Sequence, residues 1–102
     1  MKPKLTKKII LNEIQKNMHA IKGHGVRSIG LFGSYARGSQ TRKSGIDILI
    51  EFAEGKKTFD NYMDLKFFLE DIFKCKVDLV VIETIKPDLK QDIMEGLLYA
   101  QG

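Results

Sequence analysis

The segment Gly45-Ile46-Asp47-Ile48-Leu49-Ile50-Glu51-Phe52 constrains the fold of this chain more than any other. Ile46, Ile48, Ile50 and Phe52 occupy every second position, with Asp47, Leu49 and Glu51 between them. Successive side chains of an extended strand point to opposite faces, so the pattern specifies a strand with one face in a core and Asp47 on the other. Such a strand must be paired and its apolar face covered, so the rest of the chain has to supply neighbouring strands and helices.

The remaining sequence contains them. Residues 6–22 read as an amphipathic helix, with Thr6 as N-cap, Ile10, Ile14, Met18 and Ile21 on one stripe, and Lys22-Gly23-His24-Gly25 as its stop. Val26–Phe32 reads as a strand. Residues 33–44 are small, polar and glycine-punctuated, with room for a short helix at 34–37. Phe59–Phe73 reads as a second long helix with Met63, Phe67 or Phe68, and Ile72 inward. Residues 76–82 alternate again, with Val77, Leu79 and Val81 on one face and Asp78, Val80 and Ile82 on the other. After Pro87 a last helix is expected, with Leu89, Ile93, Leu97 and Leu98 as its stripe. The order helix, strand, loop, strand, helix, strand, helix implies a small α+β (α/β) sheet covered by helices.

At 102 residues the chain is expected to form one domain, residues 1–102. Its single cysteine, Cys75, cannot close an internal disulfide and fits a reducing compartment. No apolar run approaches the ~20 residues of a membrane span, and the basic N-terminus with Lys2, Lys4, Lys7 and Lys8 is not followed by a signal-type apolar stretch. A cytoplasmic protein with no membrane partner is expected. The net charge of +4 admits an anionic ligand without specifying one, and no aromatics interleave with the basic residues as a single-strand stacking platform requires.

Two features carry chemistry. Gly33-Ser34-Tyr35-Ala36-Arg37-Gly38 follows a strand directly. A strand running through Gly-Ser into a short helix points backbone N–H groups and a hydroxyl at one spot, which suits phosphate; the same sequence also describes an ordinary strand-to-helix turn. Asp47 and Asp78 each lie opposite the apolar face of their strand. Neighbouring strands are ~4.8 Å apart, so the two carboxylates could converge on one cation of magnesium type, or both face solvent. His19, His24 and Cys75 lack the spacing of a zinc site or a nucleophile–base pair. Tyr35 is open to stacking on a base or to facing solvent.

Together, Gly33-Ser34 with its short helix, Asp47 on the next strand and Asp78 on a later one closely resemble the minimal nucleotidyltransferase domain of the DNA polymerase β superfamily. The resemblance covers nearly the whole chain and implies a mixed sheet of about four or five strands flanked by helices. It implies transfer of a nucleoside monophosphate from a nucleoside triphosphate to a hydroxyl, with two Mg2+ ions holding the attacking and leaving oxygens. By resemblance Asp47 and Asp78 are the catalytic and metal residues. Gly33, Ser34, Arg37, Gly38, Arg42 and Lys43 are the nucleotide-binding ones. The chain departs from the family at Gly45, where the first carboxylate of the Asp-x-Asp pair belongs.

Polymerases and poly(A)- or CCA-adding enzymes carry further domains for nucleic acid, so no nucleic-acid substrate is expected here. The chain resembles the antitoxin half of HEPN/MNT toxin–antitoxin pairs, which implies ATP as substrate and a tyrosine of a HEPN toxin as acceptor. An inactive relative that neutralises its toxin by complex formation is the alternative that Gly45 favours. A transferase acting on a small antibiotic-like alcohol would need a substrate domain that the sequence does not display.

Overall fold

The computed structural model describes residues 5–100; Lys2 and Lys4 lie outside the described residues. Helix α1 (Lys7–Lys16) and helix α2 (Met18–Gly23) lead into strand β1 (Val26–Phe32) and the short helix α3 (Gly33–Arg37). Strand β2 (Ile46–Phe52), helix α4 (Phe59–Phe73) and strand β3 (Val77–Val81) follow, with a 3-10 turn at Ile82–Thr84. Helix α5 (Pro87–Glu95) and strand β4 (Leu98–Tyr99) complete the fold.

The sheet has four strands in the order β3-β2-β1-β4 and is mixed. β1 runs antiparallel to both β2 and β4, while β2 and β3 are parallel and joined across α4. The alternation in β2 behaves as read: Ile46, Ile48, Ile50 and Phe52 are buried, in one core with Ile29 and Leu31 of β1 and Val77, Leu79 and Val81 of β3. Ile10 and Ile14 of α1, Ile21 of α2 and Leu65 and Leu69 of α4 belong to that core, and each is fully buried. Removing that apolar surface from water, at roughly 25 cal/mol per Å2, is the main favourable term in a domain of this size.

Three local expectations are corrected. The first helix breaks at Asn17, whose side-chain amide donates to the Glu13 carbonyl at 2.8 Å and competes there with its own backbone N–H, which is shared between Glu13 O at 3.2 Å and Ile14 O at 3.1 Å. In α4 the fully inward residues are Leu65, Leu69 and Phe73, with Phe68 and Ile72 packed at the margin, while Phe67 is 58% exposed. The last helix stops at Glu95, no residue of it is buried, and Leu97 and Leu98 lie beyond it; Leu98 pairs with Leu31 in the short strand β4.

β3 is an edge strand, and its polar backbone is capped by side chains. Glu70 of α4 accepts from the Val77 N–H at 3.0 Å, the Tyr62 hydroxyl donates to the Leu79 carbonyl at 2.6 Å, and the Thr84 hydroxyl donates to the Val81 carbonyl at 2.8 Å. An edge treated this way is a poor template for pairing with another chain. Replacing Tyr62 with Phe is expected to lower the unfolding free energy by about 1 kcal/mol, the net worth of one hydrogen bond, as measured by urea denaturation. An unchanged midpoint would mean that the hydroxyl contributes nothing to fixing β3.

Candidate functional site

The mixed sheet brings the end of β1 and the beginnings of β2 and β3 to one end of the molecule. Phe32, the last residue of β1, pairs with Asp47, and Asp47 pairs with Asp78. The two aspartates therefore stand side by side on adjacent strands and on the same face, the one opposite the helix-covered core. Asp47 is half-buried and Asp78 exposed.

β1 turns directly into α3 at Gly33, which adopts φ +76. A Cβ added there would overlap the Asp47 carboxylate, so only glycine lets the backbone pass this close to the acid. α3 places Ser34 in its first turn, buries Tyr35 and Ala36 in the core, and ends at Gly38 in the left-handed conformation with Ser39 N–H bonded to the Ser34 carbonyl at 2.9 Å. Tyr35 is thus a packing residue, and burial pushes its phenol above its usual range.

The Asp47 carboxyl is held above its ordinary value of 3.8, first by burial, then by the negative charge of Asp78 and a hydrogen bond with it. Arg37 pulls in the opposite direction and is outweighed. Arg37 is therefore electrostatically part of the site. Arg42 and Lys43 instead sit at an exposed turn closed by Thr41 N–H to Ser44 Oγ at 2.9 Å and Ser44 N–H to Thr41 O at 3.1 Å, and neither contributes to the Asp47 shift.

Gly45 lies one residue before β2. Its backbone is outside the left-handed region, and a Cβ there would stand 3.2 Å from the Lys76 carbonyl oxygen and 3.8 Å from Asp78 Oδ2. A side chain at this position would point at the acid pair, and only the Lys76 carbonyl would have to give by a few tenths of an ångström. Among the described residues, no third His, Cys, Asp or Glu joins Asp47 and Asp78 in a metal-binding group. Two facing carboxylates, one of them pushed toward protonation by burial and then by the other, fit one divalent cation with remaining positions left to water and phosphate.

On this face Leu97 packs on the sheet from beyond the last helix rather than as part of its stripe, and the burial of Leu49 escaped sequence reading. A Cβ at Gly30 would come within 2.8 Å of Leu97 Cδ1, so Leu97 lies over β1 on the Asp47 side. Leu49, the register partner of Gly30, is 2% exposed although it points away from the main core. The signal for both was Gly30 itself, since a glycine inside a strand often marks close approach by another segment.

Residues 7–100 match the family model described as nucleotidyltransferase domain. A relative from Methanocaldococcus jannaschii, assigned by name to the protein adenylyltransferases, is 49% identical over 76 residues, covering 72% of this chain and 76% of the relative. A solved structure described as a minimal nucleotidyltransferase superposes with a TM-score of 0.81 at 25% identity, covering 95% of this chain and 98% of that one. A toxin–antitoxin crystal structure with AMP-PNP gives a TM-score of 0.68 at 25% identity, covering 86% of this chain and 73% of that one. No helix among the described residues is long and apolar enough to cross a membrane.

Two outcomes follow from the acid pair and the turn against it. Because the folded state raises the Asp47 pKa, its contribution to stability is complete below pH 3.8 and is lost as pH rises through the folded value. The Asp47→Asn variant lacks that loss, so its stability relative to the parent is expected to grow between pH 3 and pH 7 in urea titrations without divalent cation; a constant difference would contradict the upward shift of the Asp47 carboxyl. Gly33→Ala is expected to cost at least about 1–2 kcal/mol, the penalty for a left-handed L-residue, before any displacement of Asp47 is counted. A thermal midpoint equal to the parent's would rule out the contact.

Proposed function

Because this chain belongs to the nucleotidyltransferase domain family, we propose that it is a single minimal nucleotidyltransferase domain that binds Mg·ATP across Gly33, Ser34 and the Asp47–Asp78 pair. It transfers AMP to a tyrosine hydroxyl of a HEPN toxin and thereby acts as the antitoxin, in the cytoplasm. The observation that carries this reading is the register of Asp47 with Asp78 beside the Gly33 backbone. The name of the Methanocaldococcus jannaschii relative supports the adenylyl group, and the toxin–antitoxin structure with AMP-PNP supports both the nucleotide and the kind of partner.

In the transfer, the acceptor oxygen forms a bond to the α-phosphorus while the bond from that phosphorus to the bridging oxygen of the β-phosphate breaks. Pyrophosphate leaves with the electron pair. Gly33 lets the triphosphate approach the backbone, and the Ser34 hydroxyl and the first N–H groups of α3 bind its outer oxygens. Asp78, the more exposed of the two acids, faces the acceptor and receives the hydroxyl proton; Asp47 fixes the nucleotide side. Arg37, close enough to act on Asp47, offsets phosphate charge, with Gly38 letting the chain leave the site; Arg42 and Lys43 attract the nucleotide from the exposed turn. Asp47 and Asp78 would hold the divalent cations, which when bound would neutralise charge developing on the transferred phosphate. With Gly45 in place of a carboxylate, Asp47 and Asp78 are the acids that would hold the cations, so a second ion would be held weakly and transfer would be slow.

A second reading is favoured by Gly45 alone: a protein that retains the nucleotide site but silences its toxin by forming a complex. Calorimetric titration of Mg·ATP into the protein and its Gly45→Asp variant separates the readings when paired with an AMP-transfer assay on the toxin. We expect both to bind, the variant more tightly, with transfer at least about tenfold faster in the variant, since 1.36 kcal/mol of transition-state stabilisation is worth that factor. Toxin neutralised without AMP incorporation by the parent chain would favour the complex-forming protein. Failure of both proteins to bind Mg·ATP would refute the nucleotide site.

A further inference from the structure

The gap at Gly45 has a cation beside it. The Ile46 N–H donates to the Lys76 carbonyl at 3.0 Å and Ile46 pairs with Val77, so Gly45 and Lys76 are neighbours where β2 and β3 begin. Lys76 precedes Asp78 by two residues, and extended alternation puts its side chain on the face that carries Asp78 and Asp47. The atoms nearest to a Cβ at Gly45 are the Lys76 backbone carbonyl and Asp78 Oδ2, so a carboxylate at position 45 would stand between the Lys76 backbone and the acid pair. Lys76 is exposed and, among the described residues, makes no ion pair, whereas Lys16, Lys57 and Lys74 each have a carboxylate within 4 Å.

We propose that Lys76 is a phosphate-binding residue of this site, its ammonium reaching over Gly45 to the phosphate under transfer. The inference rests on the nucleotide reading above and deepens it. A carboxylate at position 45 would take that ammonium as a partner. With glycine there, the charge is free for an anion, and the four-carbon stem gives it the reach to find one. A divalent cation held by Asp47 and Asp78 would neutralise the two acids, leaving Arg37, which acts on Asp47, and Lys76, two residues before Asp78, as positive charges available to a triphosphate. Lys76 would thus supply to the phosphates part of the positive charge that a weakly held second cation does not.

The test is calorimetric titration of two probes, Mg·ATP and Mg·tripolyphosphate, into the protein and its Lys76→Gln and Lys76→Arg variants, each also made with Gly45→Asp. Loss of a charge-assisted hydrogen bond is expected to weaken both probes about tenfold in Lys76→Gln, with Lys76→Arg close to the parent. The Lys76→Gln loss should shrink to about threefold or less beside Gly45→Asp, where the ammonium already has a carboxylate partner. Because Lys76 is exposed, thermal midpoints of the free proteins should not move. Equal binding of both probes by parent and Lys76→Gln would overturn the role of Lys76 and leave the nucleotide site standing. Weakening of Mg·ATP alone would also overturn it, by placing Lys76 against the nucleoside. If the parent binds neither probe, the nucleotide reading and this inference fall together.

Discussion

Everything at the candidate site depends on the position of β2 between two neighbours of opposite sense. Its antiparallel pairing with β1 brings the end of that strand, and so Gly33 and α3, back over Asp47. Its parallel pairing with β3 requires a crossover, which α4 supplies, and sets Asp78 beside Asp47. Neither pairing alone would make the site. A one-residue slip in either ladder would send an aspartate into the core face, where an unpaired carboxylate is costly, so burial of Ile46, Ile48 and Ile50 also enforces the geometry of the acids.

The two faces of the sheet are closed by different means. One is packed by α1, α2 and α4 in a continuous core. The other receives only the C-terminal segment, in which α5 has no buried residue and the anchoring falls to Leu97 over Gly30 and to β4 along β1. That light cover still buries Leu49, and it brings Gly96 to 3.9 Å from the Arg37 Cγ, measured from an added Cβ. The segment after α5 thereby meets Arg37, which acts on Asp47. The half of this face that carries Asp47 and Asp78 stays accessible because Leu97 sits two residues further along the strands.

What the sequence disclosed follows from periodicity. β2 and β3 were legible because each alternates cleanly, and with them the common face of Asp47 and Asp78. α4 was legible in extent but not in phase: Tyr62, Met63, Leu65, Phe67, Phe68, Leu69, Ile72 and Phe73 leave hardly a polar side to it, so more than one inward stripe fits. Leu89, Ile93 and Leu97 have helical spacing, yet Gly96 ends the helix and a two-residue strand is too short to show a period of its own. The pressure of Gly33 on Asp47 and the cover over Leu49 join residues distant in sequence, and no local pattern encodes them. Tyr35 belongs to the same class, since its burial comes from the way α3 is folded back on the sheet.

Three glycines separate fold from chemistry. Gly33 is required by a left-handed backbone and by the acid against it, and Gly30 by the leucine lying on it. Gly45 is required by neither: its backbone would accept any L-residue, and only a carbonyl contact would need slight relief. Its presence therefore changes charge rather than architecture. Asp47 is already pushed toward its protonated form by burial and by Asp78, and a third carboxylate would add to that repulsion whenever no cation is bound. Glycine at this position spares the cation-free protein that repulsion, and on the function proposed above it does so at the expense of cation binding, the usual opposition between a stable site and an active one. On the role proposed for Lys76, glycine at position 45 also leaves the neighbouring ammonium without a carboxylate, so the chemistry of the two positions is linked.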